Sequence, residues 1–292
     1  MVESRTFNSR LSSFLINAII IALALLCLLP FINVLSYSLS SPAAADANRV
    51  GLWPVEFNLD AYRYLVGDAK FSQAFRVSAL RVVLGVTLSV FLTVLTAYPL
   101  SKESMQFRPR TFYVWFFVMT MLFGGGLVPT YMVIRSYGLV DTIWALVLPG
   151  AVQVFYITLM LNFFRGLPKE LEESAFVDGA SHWTILARIY LPLSMPGLAT
   201  ISLFTLVGQW NAWFDGLLYM NKPFHYPLQT YLQTIVTNPD MSRATDVREV
   251  LNISTRTVKT AQIFVAMLPI LIVYPFLQRF FVKGIVLGSV KG

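Results

Sequence analysis

The stretch RGLPKELEESAFVDGASHWTILARIYLPLSMP, residues 165–196, is a polar interruption between two long apolar runs. It gathers acids, small residues and helix breakers into a chain that elsewhere avoids them. Pro168 suits the first turn of a helix, and Glu170, Glu172 and Glu173 put acid where the helix macrodipole is positive. Leu171, Ala175 and Phe176 recur at helical spacing, so one face is apolar and Glu172 and Glu173 lie on its flank. Asp178 and Gly179 then end the helix, because glycine readily takes the left-handed conformation that closes one. A second short helix over 183–190 leads through Leu191 and Pro192 into the next apolar run. The whole stretch reads as a docking surface held at a membrane face.

The rest of the chain supplies that membrane. Of 292 residues 56% are hydrophobic and only 13% charged, and the mean hydropathy of +0.64 is far above that of a soluble domain. A hydrocarbon core of about 30 Å takes roughly 20 apolar residues per helix, with every backbone polar group satisfied internally. Such runs fall near 14–35, 77–98, 113–133, 142–164, 197–218 and 260–282. The fold class is therefore an all-α integral membrane protein with six transmembrane helices. Residues 1–12 form an N-terminal segment and 13–292 one transmembrane domain, carrying the loop 165–196 and a tail 283–292.

The first run also admits a secretory signal, with Arg5 and Arg10 before it, PAAADA after it and cleavage near Ala45. Its apolar segment of about 22 residues exceeds the roughly 7 to 15 of a signal, which favours an uncleaved helix. With the N-terminus inside, the 22 Lys and Arg residues divide equally between the two faces. Only their density and the net charge of the segments then place both termini on the cytoplasmic side of a bacterial plasma membrane. The formal net charge of +7 fits a basic rim on anionic membrane lipid and calls for no nucleic-acid partner.

Within 165–196 the order is Glu173, Ser174, Ala175, then Asp178, Gly179, Ala180, then Ile189, Leu191 and Pro192. This resembles the cytoplasmic "EAA" loop of binding-protein-dependent ABC import permeases, with Ser174 in place of the second alanine as the one departure. Serine is small enough to keep the close packing that position needs. FGGGLVPTYMVIRSYGLVDTIWALVLPGAVQVF, residues 123–155, is similar to the carbohydrate permeases that handle oligosaccharides from plant or algal polysaccharides, alginate and aldouronate among them. QWNAWF, 209–214, and GIVLGSVKG, 284–292, are similar to the same group, including the second membrane subunit of maltose-type importers.

The resemblance implies a type I (MetI-like) permease fold. It also implies that the chain works with a second homologous permease, two ATPase subunits and an extracytoplasmic solute-binding protein that delivers an oligosaccharide. Glu173, Ser174, Ala175, Asp178, Gly179 and Ala180 would couple to the ATPase. Small residues let a short helix enter a cleft closely, and the two carboxylates meet cations or backbone amides. In the maltose-type subunit the tail reaches the ATPase dimer interface, which carries Gly288, Ser289, Val290, Lys291 and Gly292 into the same role. The bland alternative for them is a frayed basic terminus.

A substrate path should be marked by polar or irregular positions near mid-membrane. Gly124, Gly125 and Gly126, then Gln153 and Tyr156, then Gln209, Trp210, Asn211 and Trp213 fall there. Consecutive glycines weaken a helix by roughly 1 kcal/mol each, and non-helical backbone at depth survives only inside protein or along a wet cavity. Aromatic rings beside amides suit sugars, whose C–H faces stack while hydroxyls hydrogen-bond. The competing reading makes the amides packing glue between helices and the glycines a close helix approach. Asp215, near the outer end of its run, is a structural or gating partner for a basic residue. Arg76 and Arg81, near the outer entrance, either meet acidic sugars such as uronides or snorkel to lipid phosphates. The outer loops 36–76 and 219–259 are long enough to form short helices and a docking surface, and the resemblance implies that they face the solute-binding protein and help open it.

Catalysis has no foothold in the sequence. No GxxxxGK[ST] stretch cradles ATP phosphates, so ATP and Mg²⁺ belong to partner subunits and the chain needs no cofactor of its own. Cys27 is alone, which excludes a disulfide framework and a CxxC metal site. His182 and His225 fall on opposite faces, the first in the loop beside the docking helix. An ion-coupled secondary transporter would want an acid, base or histidine relay at depth and an internal repeat, and a membrane enzyme clustered His, Asp or Glu. Either would leave the docking loop without a purpose.

Overall fold

The computed structural model describes residues 7–103, 106–237 and 254–288. All regular elements among them are helices. They fall into two units, 1–69 with 238–268, and 70–237 with 269–292.

The first unit is organised by α1 (Phe7–Ser38), a 32-residue helix whose apolar residues face all directions, as a lipid-exposed span requires. Its polar last turns grip the segment that follows. Asn33 Nδ2 donates to the Gly51 carbonyl at 2.8 Å, and Ser36 Oγ to the Leu52 carbonyl at 2.6 Å. Ser41 caps α2 (Pro42–Asp46), its Oγ accepting from Ala44 N at 3.2 Å. Tyr62 of α3 (Asp60–Gly67) shares a 2.7 Å hydrogen bond with Ser38. Arg256, near the start of the last helix, donates to the Ala45 carbonyl at 3.2 Å and stacks its guanidinium over the Tyr37 ring at 4.6 Å.

The second unit is built on α4 (Ala69–Ser101). Ala74, Ser78, Arg81, Gly85, Ser89, Thr93 and Ala97 recur three or four apart and are all buried. A stripe made mostly of small residues lets other helices approach its backbone closely, the main source of attraction between helices in lipid. A Cβ on Gly85 would sit 2.9 Å from Gln209 Cδ, and one on Gly197 only 2.6 Å from the Phe163 ring. The contiguous core runs through Val94, Tyr98, Ile157, Met160, Phe164, Leu186, Tyr190 and Ile201.

The expected spans 113–133 and 142–164 are corrected to bent ones, and 197–218 to a shorter helix with a bend before it. α5 (Arg110–Leu122) meets α6 (Leu127–Ser136) at 115°, across Phe123 and the three glycines, with Gly126 at φ 82°. α7 (Ile143–Val147) and the 3₁₀ turn Leu148–Gly150 meet α8 (Val154–Arg165) at 51°, where Pro149 removes a backbone donor. A third bend of 79° at Ser194 separates the docking loop's second half from α12 (Met195–Asn211), and α12 stops at Asn211 rather than continuing to 218. With each bent pair read as one crossing, these join α1, α4 and the last helix, Thr255–Gly288, to give six.

Candidate functional site: a docking helix and a broken span

The docking helix is α9 (Lys169–Val177), with α10 (His182–Ile185), a π turn (Leu186–Tyr190) and α11 (Leu191–Leu193) after it. Pro168 stands just before the helix rather than inside its first turn. The second short helix begins at His182, whose Nδ1 lies 3.1 Å from the Tyr98 hydroxyl, so His182 is a helical residue and not a loop one. Gly179, at φ 77°, ends α9 in a Schellman arrangement, Ala180 N donating to Ala175 O at 2.9 Å and Gly179 N to Phe176 O at 3.0 Å.

Glu172 is not on a solvated flank, as its spacing suggested. It is 8% exposed, and its carboxylate accepts from Lys102 Nζ at 2.6 Å and from the Tyr190 hydroxyl. Lys102 also donates to Tyr190 at 3.0 Å, and its ammonium stands 4.2 Å from the centroids of both Tyr98 and Tyr190. Burial pushes the Lys102 ammonium below its ordinary range, and the Glu172 carboxylate pulls it partly back. The pair is compensated on all sides, which a buried charge demands. The docking helix is thereby bolted to the end of α4. Lys102, Tyr98 and Tyr190 were missed as a site by sequence reasoning; the available signal was a tyrosine one turn before a lysine at the end of an apolar run.

Most residues of the motif are exposed, while Ala175 and Ala180 pack against the core. Glu173, Ser174, Asp178 and Gly179 are exposed, Ala175 and Ala180 half-buried, and Val177 at 88% presents bare hydrocarbon. Glu173, Ser174 and Ala175 lie on α9, and Asp178, Gly179 and Ala180 in the turn that closes it. Beside it a cavity of about 580 Å³ opens between α4 and α10, walled by Leu95, Pro99, Phe107, Phe176 and Trp183. Gly288 ends the described part of the last helix, and Ser289, Val290, Lys291 and Gly292 lie outside the described residues.

The path residues are divided by the structure. Gln209 and Trp210 are buried at the end of α12, Trp210 edge-on to Phe75, whereas Asn211 and Trp213 are exposed. Gln153, before α8, is exposed and Tyr156 half-buried, stacked on Phe204. Gly124, Gly125 and Gly126 are exposed in the α5–α6 break. Between α12 and α13 (Phe214–Tyr219) the helix is interrupted at Ala212 and Trp213. Arg81, 2% exposed, reaches this break: Nε donates to Gln209 Oε1 at 2.7 Å, and the guanidinium forks onto Asp215. The snorkelling and sugar-facing readings of Arg81 are both corrected by this, because its donors are spent inside the protein. Nearby, Asp141 accepts from His225 Nδ1 at 2.9 Å and from the backbone N–H groups of Asn221 and Lys222. Among the described residues no three His, Cys, Asp or Glu side chains are arranged to hold a metal.

A helical membrane protein with up to six crossings among the described residues, three of them bent pairs, and a short docking helix bolted to the end of α4 has the build of a transport permease. The chain belongs to the family of binding-protein-dependent transport system inner membrane components, whose model matches residues 83–287. It is thus a membrane component of a transport system and not itself an enzyme. The polygalacturonan/rhamnogalacturonan transport system permease protein YtcP of Bacillus subtilis (strain 168) is 41% identical over 289 residues, 98% of this chain and 100% of that one. Protein LplC of the same organism is 41% identical over 266 residues, 91% and 90% of the two chains. A chain in the crystal structure of a bacterial ABC transporter involved in the import of the acidic polysaccharide alginate has the same fold, at a TM-score of 0.87 and 32% identity, over 94% of this chain and 98% of that one.

Proposed function

We propose that this chain is one of two membrane subunits of an ATP-driven importer for oligosaccharides released from acidic polysaccharides. A second homologous permease completes the pathway, two ATPase subunits hydrolyse ATP, and an extracytoplasmic binding protein delivers the sugar. Both termini and the loop 165–196 face the cytoplasm. The observation that carries this reading is α9 itself, a helix too short to be stable alone, bolted by Glu172 and closed by Gly179, with Glu173, Val177 and Asp178 exposed. Nucleotide-driven closure of an ATPase cleft around Glu173, Ser174, Ala175, Asp178, Gly179 and Ala180 pulls on α4 through Lys102, and the broken spans respond. Gly288 through Gly292 make a second contact with the ATPase pair. Asn211, Trp213, Gln153, Tyr156 and the three glycines line the path, with Gln209 and Trp210 packed behind them. The acidic character of the sugar is supported by the similar transport proteins, one named for polygalacturonan and another for alginate.

The test is purification of the tagged chain in mild detergent from cells expressing the neighbouring transport proteins, with assay of ATP hydrolysis and of uptake in proteoliposomes. Co-purification of a second permease and an ATPase, with ATP-dependent uptake of a uronic-acid oligosaccharide, is the expected result. A chain that purifies alone and takes up solute along an ion gradient without ATP would replace this reading with a secondary transporter.

A further inference from the structure

We infer that Arg81 and Asp215 form a positioning pair that fixes the α12–α13 break and thereby determines which side chains the path presents to the sugar. The inference rests on the importer reading above and adds a determinant of sugar affinity within it.

Arg81 lies 12 residues into α4, about 18 Å along the helix axis from its start. A charge only 2% exposed is expensive, and a well-packed uncharged pair of similar volume would hold two helices together as well or better. What an uncharged pair lacks is the planar fork of guanidinium donors. Here the fork spans the interruption. On the α12 side it meets Gln209 Oε1 at 2.7 Å and the Ala212 carbonyl at 3.4 Å. On the α13 side it meets Asp215 Oδ1 at 3.1 Å and Asp215 Oδ2. The carboxylate in turn accepts from Gly216 N at 2.9 Å, in the first turn of α13.

The surroundings anchor the α13 side of the break to residues 227–230, and the fork supplies its tie to α12. Thr230 Oγ1 donates to the Trp213 carbonyl at 2.8 Å, and Ser78 Oγ, one turn from Arg81 on α4, accepts from Leu228 N at 2.8 Å. Gly216 is pressed so closely that a Cβ would stand 2.1 Å from Thr230 Oγ1. The consequence is a fixed division of the aromatic and amide group: Gln209 and Trp210 face inward, Asn211 and Trp213 outward. Without the fork the two helical pieces can rotate about Ala212 and Trp213, and the outward pair shifts relative to the sugar.

The experiment uses the complete importer in proteoliposomes with its binding protein, and reads apparent KM and maximal uptake rate for a uronic-acid trisaccharide and its carboxyl-reduced neutral counterpart. The variants are the neutral pair Arg81→Gln with Asp215→Asn, the reversed pair Arg81→Asp with Asp215→Arg, and Arg81→Lys. The neutral pair leaves no buried unpaired charge, so its thermal unfolding should match or exceed that of the natural protein. Its KM should nevertheless rise about tenfold for both sugars, the effect of removing one well-aligned hydrogen bond to the substrate. The reversed pair restores the charges without the Gln209 and Ala212 hydrogen bonds, so its KM should stay raised; Arg81→Lys should fall between. A neutral pair that keeps KM within about twofold of the natural protein, or shows a lower maximal rate and less folded protein at unchanged KM, overturns the inference and leaves the pair as a structural tie. If the neutral pair fails to fold, Arg81→Lys alone decides, by the same comparison of KM with maximal rate. A natural complex that assembles and shows no ATP-driven uptake counts against the importer reading instead, before any variant is compared.

Discussion

Lys102 and Glu172 meet at 2.6 Å with side chains 7% and 11% exposed, so each is held in place by the other's charge. Replacing Glu172 with Gln should cost about 3 to 5 kcal/mol, the cost of leaving a buried cation uncompensated, read as a fall in unfolding temperature in detergent. Lys102→Met together with Glu172→Leu should recover most of that stability, because neither charge remains; a double variant as unstable as the single one would contradict the bolt. Asp141 offers a pH test. Desolvation is the largest single influence and pushes its carboxyl up, but hydrogen bonds from His225, Asn221 and Lys222, with the charge of His225, together hold it below its ordinary 3.8. A carboxyl lowered on folding contributes stability that is complete above its unfolded pKa and is lost as pH falls through the folded one. Thermal stability should therefore lose this contribution only below about pH 4, and Asp141→Asn should flatten that acid limb. The sequence made Asp215's need for a basic partner legible, because an acid near a span has few other fates, and Arg81 meets it. Glu172 was misplaced because helical periodicity ranks faces by apolar residues, and here the buried face is marked by a charge whose partner lies 70 positions away.

Among the helices, α9 was legible nearly to the residue: proline and acids at the start and Asp-Gly at the end are local chemistry, and local chemistry sets caps. Gly179→Ala should destabilise the closed end by about 1 kcal/mol through its positive φ alone, since nothing lies within 4 Å of the added methyl. Its effect on assembly should be small, whereas Gly179→Asp adds bulk and charge to the docking face and should reduce ATPase retention on affinity purification much more. Equal retention by both variants would mean that the ATPase docks elsewhere. Gly197→Ala is a contrasting case: the new Cβ would meet the Phe163 ring at 2.6 Å, so α12 and α8 must separate, and expression and unfolding temperature should both fall. The three bends were not legible as bends. Hydropathy averages over a run and is blind to direction, so 113–133 reads as one span although its glycines turn the chain by 115°.

For the molecule as a whole, composition decided the class, and the spacing from Glu173 to Pro192 decided the family, which the match over residues 83–287 establishes. What sequence could not supply was the mechanical link between the two ends of the second unit. One continuous helix, α4, carries Arg81 at the α12–α13 break and ends beside Lys102 at the docking helix. On the importer reading, force applied to α9 reaches the membrane path through this helix. The decisive comparison measures ATP hydrolysis and sugar uptake together in the reconstituted importer, for the natural protein and for Lys102→Ala with Glu172→Ala, which removes both side chains and so unties α9 from α4 without leaving a buried charge. An assembled complex should still hydrolyse ATP while uptake per ATP drops severalfold, the effect of removing a coupling free energy of about 1 to 3 kcal/mol. Unchanged uptake per ATP in that variant would contradict transmission through α4, and would show that α9 moves the path by some route other than the Lys102 bolt.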